Sequence, residues 1–155
     1  MVVGVLLAAA GVLPNPAQGG DVTVFIAKSR PGDNWGDGYG AALSSTWFKY
    51  ATFEAEVARL PGQEPESGMT SFTGAAMLSV PLKALTAYGG LGAGVFRQTL
   101  ASDADLGSLK ALIIGLKLQL GELIVIRGDY RRFDLSGPPP IDIDDRFAAG
   151  IGVSF

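Results

Sequence analysis

The chain has 155 residues, 48% of them hydrophobic and only 17% charged, with a net charge of -3. One domain is expected at this length, and the charge content lies well below that of ordinary soluble domains. The balance leaves no basic footprint for nucleic acid, the absence of Cys excludes disulfides and thiolate sites, and 22 glycines disfavour a helical protein.

The chain opens on an apolar stretch, Val2 to Leu13, followed by Pro14, Pro16, Ala17, Gln18, Gly19 and Gly20. This reads residues 1–20 as a secretory signal: an apolar h-region and then small residues. It lacks the usual Lys or Arg at its start, which points to a truncated start. About a dozen apolar residues are too few to span a bilayer as a helix, and no later stretch reaches the roughly 18 required.

From residue 21 onward, eight strand-like runs alternate with turn chemistry: 21–29, 38–48, 52–60, 69–80, 85–98, 108–120, 122–133 and 146–155. Each has 9 to 14 residues, longer than a typical soluble strand and long enough to cross a membrane. The connections 48–52, 80–85 and 120–122 are short, whereas 30–37, 61–68, 99–107 and 134–145 are long. The long ones hold ten of the 15 acidic residues: Asp33, Asp37, Glu64, Glu66, Asp103, Asp105, Asp134, Asp142, Asp144 and Asp145. Short turns at one end and long polar loops at the other are the layout of an outer-membrane barrel.

Alternate side chains of a strand point to opposite faces. The third strand sets Phe53, Ala55 and Val57 against Glu54, Glu56 and Ala58. The fourth sets Phe72, Gly74, Ala76, Leu78 and Val80 against Ser71, Thr73, Ala75, Met77 and Ser79. In the sixth, Leu112, Ile114, Leu116 and Leu118 oppose Ala111, Ile113, Gly115, Lys117 and Gln119. The seventh places Ile124, Ile126, Gly128 and Tyr130 against Val125, Arg127, Asp129 and Arg131. The last has Phe147, Ala149, Ile151, Val153 and Phe155 on one face, with Arg146, Ala148, Gly150, Gly152 and Ser154 on the other. The first strand is ambiguous, because Phe25 falls on the face expected to be interior and a one-residue slip would exchange its faces.

Two geometries satisfy this pattern. A soluble lipocalin-like carrier would turn the apolar face inward; a membrane barrel would turn it to lipid. Strand length, loop asymmetry and aromatic placement favour the membrane barrel. Tyr39, Phe72, Tyr130, Phe133 and Phe147 lie near the long loops, and Trp47, Phe48, Tyr50, Tyr88 and Phe155 near the short turns. Two such groups are expected where amphipathic rings meet both membrane interfaces.

Three segments carry this reading furthest: Tyr88-Gly89-Gly90-Leu91-Gly92-Ala93-Gly94-Val95, Ile126-Arg127-Gly128-Asp129-Tyr130-Arg131-Arg132-Phe133-Asp134, and the final Gly150-Ile151-Gly152-Val153-Ser154-Phe155. With them, residues 21–155 resemble the small eight-stranded outer-membrane β-barrel family, which contains the OmpA-like and OmpX-like barrel domains. The resemblance implies an all-β, eight-stranded antiparallel up-and-down transmembrane β-barrel in the outer membrane of a Gram-negative bacterium. It implies membrane lipid as the environment, a monomer, no cofactor, and recognition of the terminal strand through Phe155 by the barrel-assembly machinery. The peptidoglycan-binding domain that follows some family barrels is absent from this sequence.

The candidate site is an interior polar network of Glu54, Glu56, Lys117, Gln119, Arg127, Asp129, Arg131 and Arg146. It reads structurally as an ion-pair plug, or functionally as a narrow pore for small solutes. Gly90, Gly92 and Gly94 are expected to leave interior room for long charged side chains, since Val95-Phe96-Arg97 continues a strand where a dinucleotide loop needs a helix. The pair Glu54 and Glu56 suits ion pairing better than acid–base work, and catalysts of the Ser-His or Asp-His kind need a His that this chain does not have. The run Asp142-Ile143-Asp144-Asp145 beside Pro138-Pro139-Pro140 reads as a solvated loop rather than a metal site. Trp35 reads either as a contact for a surface partner or as a ring resting on the barrel rim. The expected role is non-enzymatic, structural or surface-contacting through the acidic loops.

Overall fold

In the computed structural model the described residues are 19–31, 35–48, 50–61, 67–100, 103–136 and 143–155. They form eight strands: β1 Gly20–Pro31, β2 Gly36–Trp47, β3 Ala51–Pro61, β4 Gly68–Leu82, β5 Leu85–Leu100, β6 Asp103–Leu120, β7 Ile124–Ser136 and β8 Ile143–Ser154. Each pairs antiparallel with the next, and β8 returns to β1 with Val153 opposite Val22 and Ile151 opposite Val24, so the sheet is a closed barrel. Closure satisfies the backbone groups that an open edge would leave bare. Residues 1–18, most of the expected signal, lie outside the described residues, as does Asp142.

The short connections are tight because each has a residue in the left-handed region: Phe48 at φ 54°, Lys83 at 59° and Gly121 at 67°. At the other end the ladders run further than the alternation pattern suggests. β5 reaches Leu100 and β6 begins at Asp103, with those two residues paired. All four expected long loops are shortened, to 32–35, 62–67, 101–102 and 137–142, because polar residues such as Thr99 and Asp134 keep pairing beyond the apolar band. β1 is settled by register: Phe25 faces inward and is buried, while Val24 and Ile26 face outward.

The outer face carries Ile26, Leu78, Leu91, Leu112, Ile114 and Ile151, all exposed. Aromatic rings lie on that face at both ends: Tyr39, Phe72 and Phe147 toward the loops, Trp47, Phe48 and Tyr50 toward the turns. Two expected girdle members do not belong to it. Tyr88 and Phe133 are buried inside the barrel, since each shares strand parity with interior residues such as Gly92 and Arg131. Trp35 rests against Phe147, with ring centroids 6.0 Å apart, and Phe147 against Tyr130 at 4.9 Å. This places Trp35 on the rim.

Candidate functional site

The interior has three storeys. On the loop side the buried Leu60, Met69, Phe96, Leu109 and Phe133 of the hydrophobic cluster form a largely apolar cap, with buried Ser71 opposite Phe96 and buried Gln98 opposite Met69. The charged layer lies below it. On the turn side a vestibule of about 400 Å³ opens outward, lined by residues including Asp21, Thr46, Ser79, Lys117, Gln119 and Ser154.

The charged layer is assembled from β3, β7 and β8. Residues two apart on a strand share a face, so Glu54 and Glu56 enter the lumen together, as do Arg127, Asp129 and Arg131. Arg127 Nη1 lies 2.6 Å from Glu54 Oε2, and its Nη2 lies 2.7 Å from Asp129 Oδ2. Arg131 Nη2 bridges Glu54 Oε1 at 2.5 Å and Glu56 Oε2 at 2.9 Å, while its Nε donates to Asp129 Oδ1 at 3.0 Å. Arg146 forks onto Glu56, with Nη1 2.7 Å from Oε1 and Nη2 2.9 Å from Oε2. Three guanidinium groups thus meet three carboxylates, and the layer is neutral. Charge-assisted bonds in fork geometry are the form in which buried charge is tolerated.

Aromatic rings brace this layer. Arg146 Cζ lies 4.9 Å from the centre of the Phe25 ring and 5.6 Å from that of Phe133. Tyr88 OH donates to Asp129 Oδ2 at 3.4 Å, and Arg127 Cζ lies 5.7 Å from its ring centre. Gly115 makes room for the Tyr88 ring, and Gly40 and Gly150 for the Phe25 side chain; a Cβ at any of the three would collide with it. Within the Gly90 to Gly94 run, Gly92 leaves room for the interior Thr73 and Ile113 side chains, whereas Gly90 and Gly94 have a different role from the one expected. A Cβ on Gly90 or Gly94 would strike the β4 backbone, at Ala76 and Phe72 respectively, so these glycines permit close strand approach.

Of the eight sequence-predicted residues, six meet in this layer: Glu54, Glu56, Arg127, Asp129, Arg131 and Arg146. Lys117 does not reach Glu54 or Glu56 as expected. It sits nearer the turns, and its Nζ donates to Asp21 Oδ2 at 2.6 Å and to Ser44 Oγ at 2.8 Å. Gln119 also lies in the vestibule, where its Oε1 accepts from Ser154 Oγ at 3.2 Å. Phe155 is half exposed, and its backbone N and O both bond Gly20 at 3.0 Å, extending the closing ladder. Asp21, Tyr88 and the cap residues were missed. Strand parity was the available signal for Tyr88 and Phe133, and Asp21 belongs to the strand whose faces the sequence left open. In the acidic run, Asp145 accepts from Tyr130 OH at 2.5 Å and lies 3.7 Å from Arg30 Nη2. Among the described residues no cluster of three potential metal ligands occurs.

No protein-family model matches the sequence, and neither does any curated protein. Solved structures do match. Neisserial surface protein A aligns with a TM-score of 0.64 at 12% identity, over 88% of this chain and 95% of that one. Ail, the attachment invasion locus protein of Yersinia pestis, aligns at 0.62 with 16% identity, over 89% and 99%. The outer membrane enzyme PagL aligns at 0.52 with 15% identity, over 86% and 98%. Closed eight-strand topology, an apolar exterior and these alignments agree: the chain has the fold of the small eight-stranded outer-membrane β-barrels.

Proposed function

We propose that this chain is an integral outer-membrane protein without enzymatic activity, whose sealed barrel is a rigid anchor holding its acidic loops at the cell surface for contact. The observation that carries this is the inversion of polarity: Leu and Ile side chains stand exposed on the outside while Arg127, Arg131 and Arg146 are fully buried inside. Lipid is the solvent that favours this arrangement. The soluble-carrier alternative needs an apolar cavity at the centre, where the ion pairs now lie. Residues 1–20 then serve as the export signal, and the last strand with Phe155 as the handle for barrel assembly. PagL puts an enzyme on the same architecture, but the present chain has no His to act as a base.

The narrow-pore reading draws support from the vestibule, and from Ser71 Oγ, Thr73 Oγ1 and Gln98 Nε2, buried polar atoms with no protein partner among the described residues. The apolar cap above the ion pairs favours the sealed reading.

The full chain, expressed in a Gram-negative host, is expected to sediment with membranes, resist an alkaline carbonate wash, and leave them only in detergent. On an unheated gel the detergent-extracted protein should migrate differently from the boiled sample. Recovery in the aqueous fraction after lysis would contradict the membrane reading.

A further inference from the structure

The outer face bears a set of charges that neither the ion-pair layer nor the apolar band explains. Lys28, Arg30, Arg59, Arg97, Lys110 and Arg132 all point outward on the loop half of the barrel. Four of them stand beside an acid. Lys28 Nζ lies 2.5 Å from Asp37 Oδ1, and Arg30 Nη2 lies 3.7 Å from Asp145 Oδ2. Lys110 faces Asp134 across β6 and β7, and Arg132 faces Asp145 across β7 and β8.

Arg59 and Arg97 differ: neither is ion-paired with any carboxylate whose side chain is described. They occupy one cross-strand row, with Arg59 opposite Thr70 and Thr70 opposite Arg97. Two strand spacings separate their Cα atoms by about 10 Å. Two Arg side chains are long enough to span that gap across the small, half-buried Thr70. The Arg59 guanidinium leans toward the loops; its Nη2 lies 4.0 Å from where a Cβ on Gly68 would stand. Turnward of the row, Phe72 and Val95 are exposed and paired with each other.

An Arg on a lipid-facing strand is costly at the bilayer midplane and nearly free at the interface. At the interface a planar guanidinium with no carboxylate matches phosphate oxygens through paired hydrogen bonds. We propose that Arg59 and Arg97 clamp the phosphate headgroup of a membrane lipid, whose acyl chain runs turnward over Phe72 and Val95. The inference rests on the membrane reading above.

The test is native mass spectrometry of the detergent-purified full chain with phosphatidic acid and with diacylglycerol of the same acyl chains. The native protein is expected to retain phosphatidic acid at least tenfold better. R59Q/R97Q should bring phosphatidic acid down to the diacylglycerol level, whereas K28Q/R30Q should leave the preference intact. Glutamine at either clamp position adds no bulk, and folding is verified by the gel shift of the unheated sample. The clamp is overturned if R59Q/R97Q keeps the preference, or if K28Q/R30Q abolishes it equally. It is also overturned if equimolar inorganic phosphate releases the lipid, which would mark a site for free anions. Failure of the membrane reading shows separately, as native protein that stays in water without detergent.

Discussion

Replacing Glu54 and Glu56 together with Gln is expected to prevent refolding, or to lower the urea midpoint in micelles far more than any single surface change. The layer balances three carboxylates, Glu54, Glu56 and Asp129, against Arg127, Arg131 and Arg146. E54Q/E56Q leaves three buried guanidinium groups facing Asp129 alone. Breaking one buried pair costs about 3–5 kcal/mol because the remaining charge is stranded away from water. Two broken together approach the whole stability of an ordinary domain of roughly 5–15 kcal/mol. A charge-balanced control separates stranding from shape. E56Q/R146Q removes both ends of the Arg146 fork and should cost less than E56Q alone, so in a double-mutant cycle the pair costs far less than the sum of the two single changes. An unchanged midpoint in E54Q/E56Q would show that the ion pairs do not hold the barrel together.

Leu91→Arg is expected to destabilise the barrel in a lipid bilayer by about 2–4 kcal/mol, the penalty for a cation on a lipid-facing strand near the midplane. Leu91 is 67% exposed, in the middle of β5, opposite Ala76 on β4 and Leu112 on β6. In water the same substitution on an exposed Leu would be nearly neutral. The measurement is equilibrium unfolding in phospholipid vesicles. The effect should shrink toward zero for Leu106→Arg, which is exposed near the loop end of β6. Equal, small effects at both positions would mean that the outer face does not meet hydrocarbon.

Much of the barrel was legible because period-2 alternation survives in β3, β4, β6, β7 and β8, and because long strands exceed what a soluble sheet needs. The members of the ion-pair layer followed from the same parity, since residues two apart on β3 and β7 must share a face. What was misjudged has physical causes. Tyr88 and Phe133 were placed by their distance from strand ends, although parity sends both inward. Lys117 shares a face with the arginines and stands opposite Arg127, but beside that cation its ammonium turns toward the turns and meets Asp21 instead. Phe25 made β1 ambiguous because an interior aromatic looks like a lipid-facing one until Gly40 and Gly150 are seen to flank it. The apolar cap of Leu60, Met69, Phe96, Leu109 and Phe133 was hidden for the same reason: apolar side chains point both ways near the loop end.

A lipid-facing barrel whose lumen is sealed by the ion-pair layer and the apolar cap should pass no ionic current. The measurement is single-channel recording of the refolded chain in a planar bilayer, with insertion verified independently by protease protection. A silent bilayer carrying inserted protein is the result expected of the sealed barrel. Discrete, reproducible openings of the native chain would contradict it and make Glu54, Glu56 and Arg127 the residues lining a conducting path.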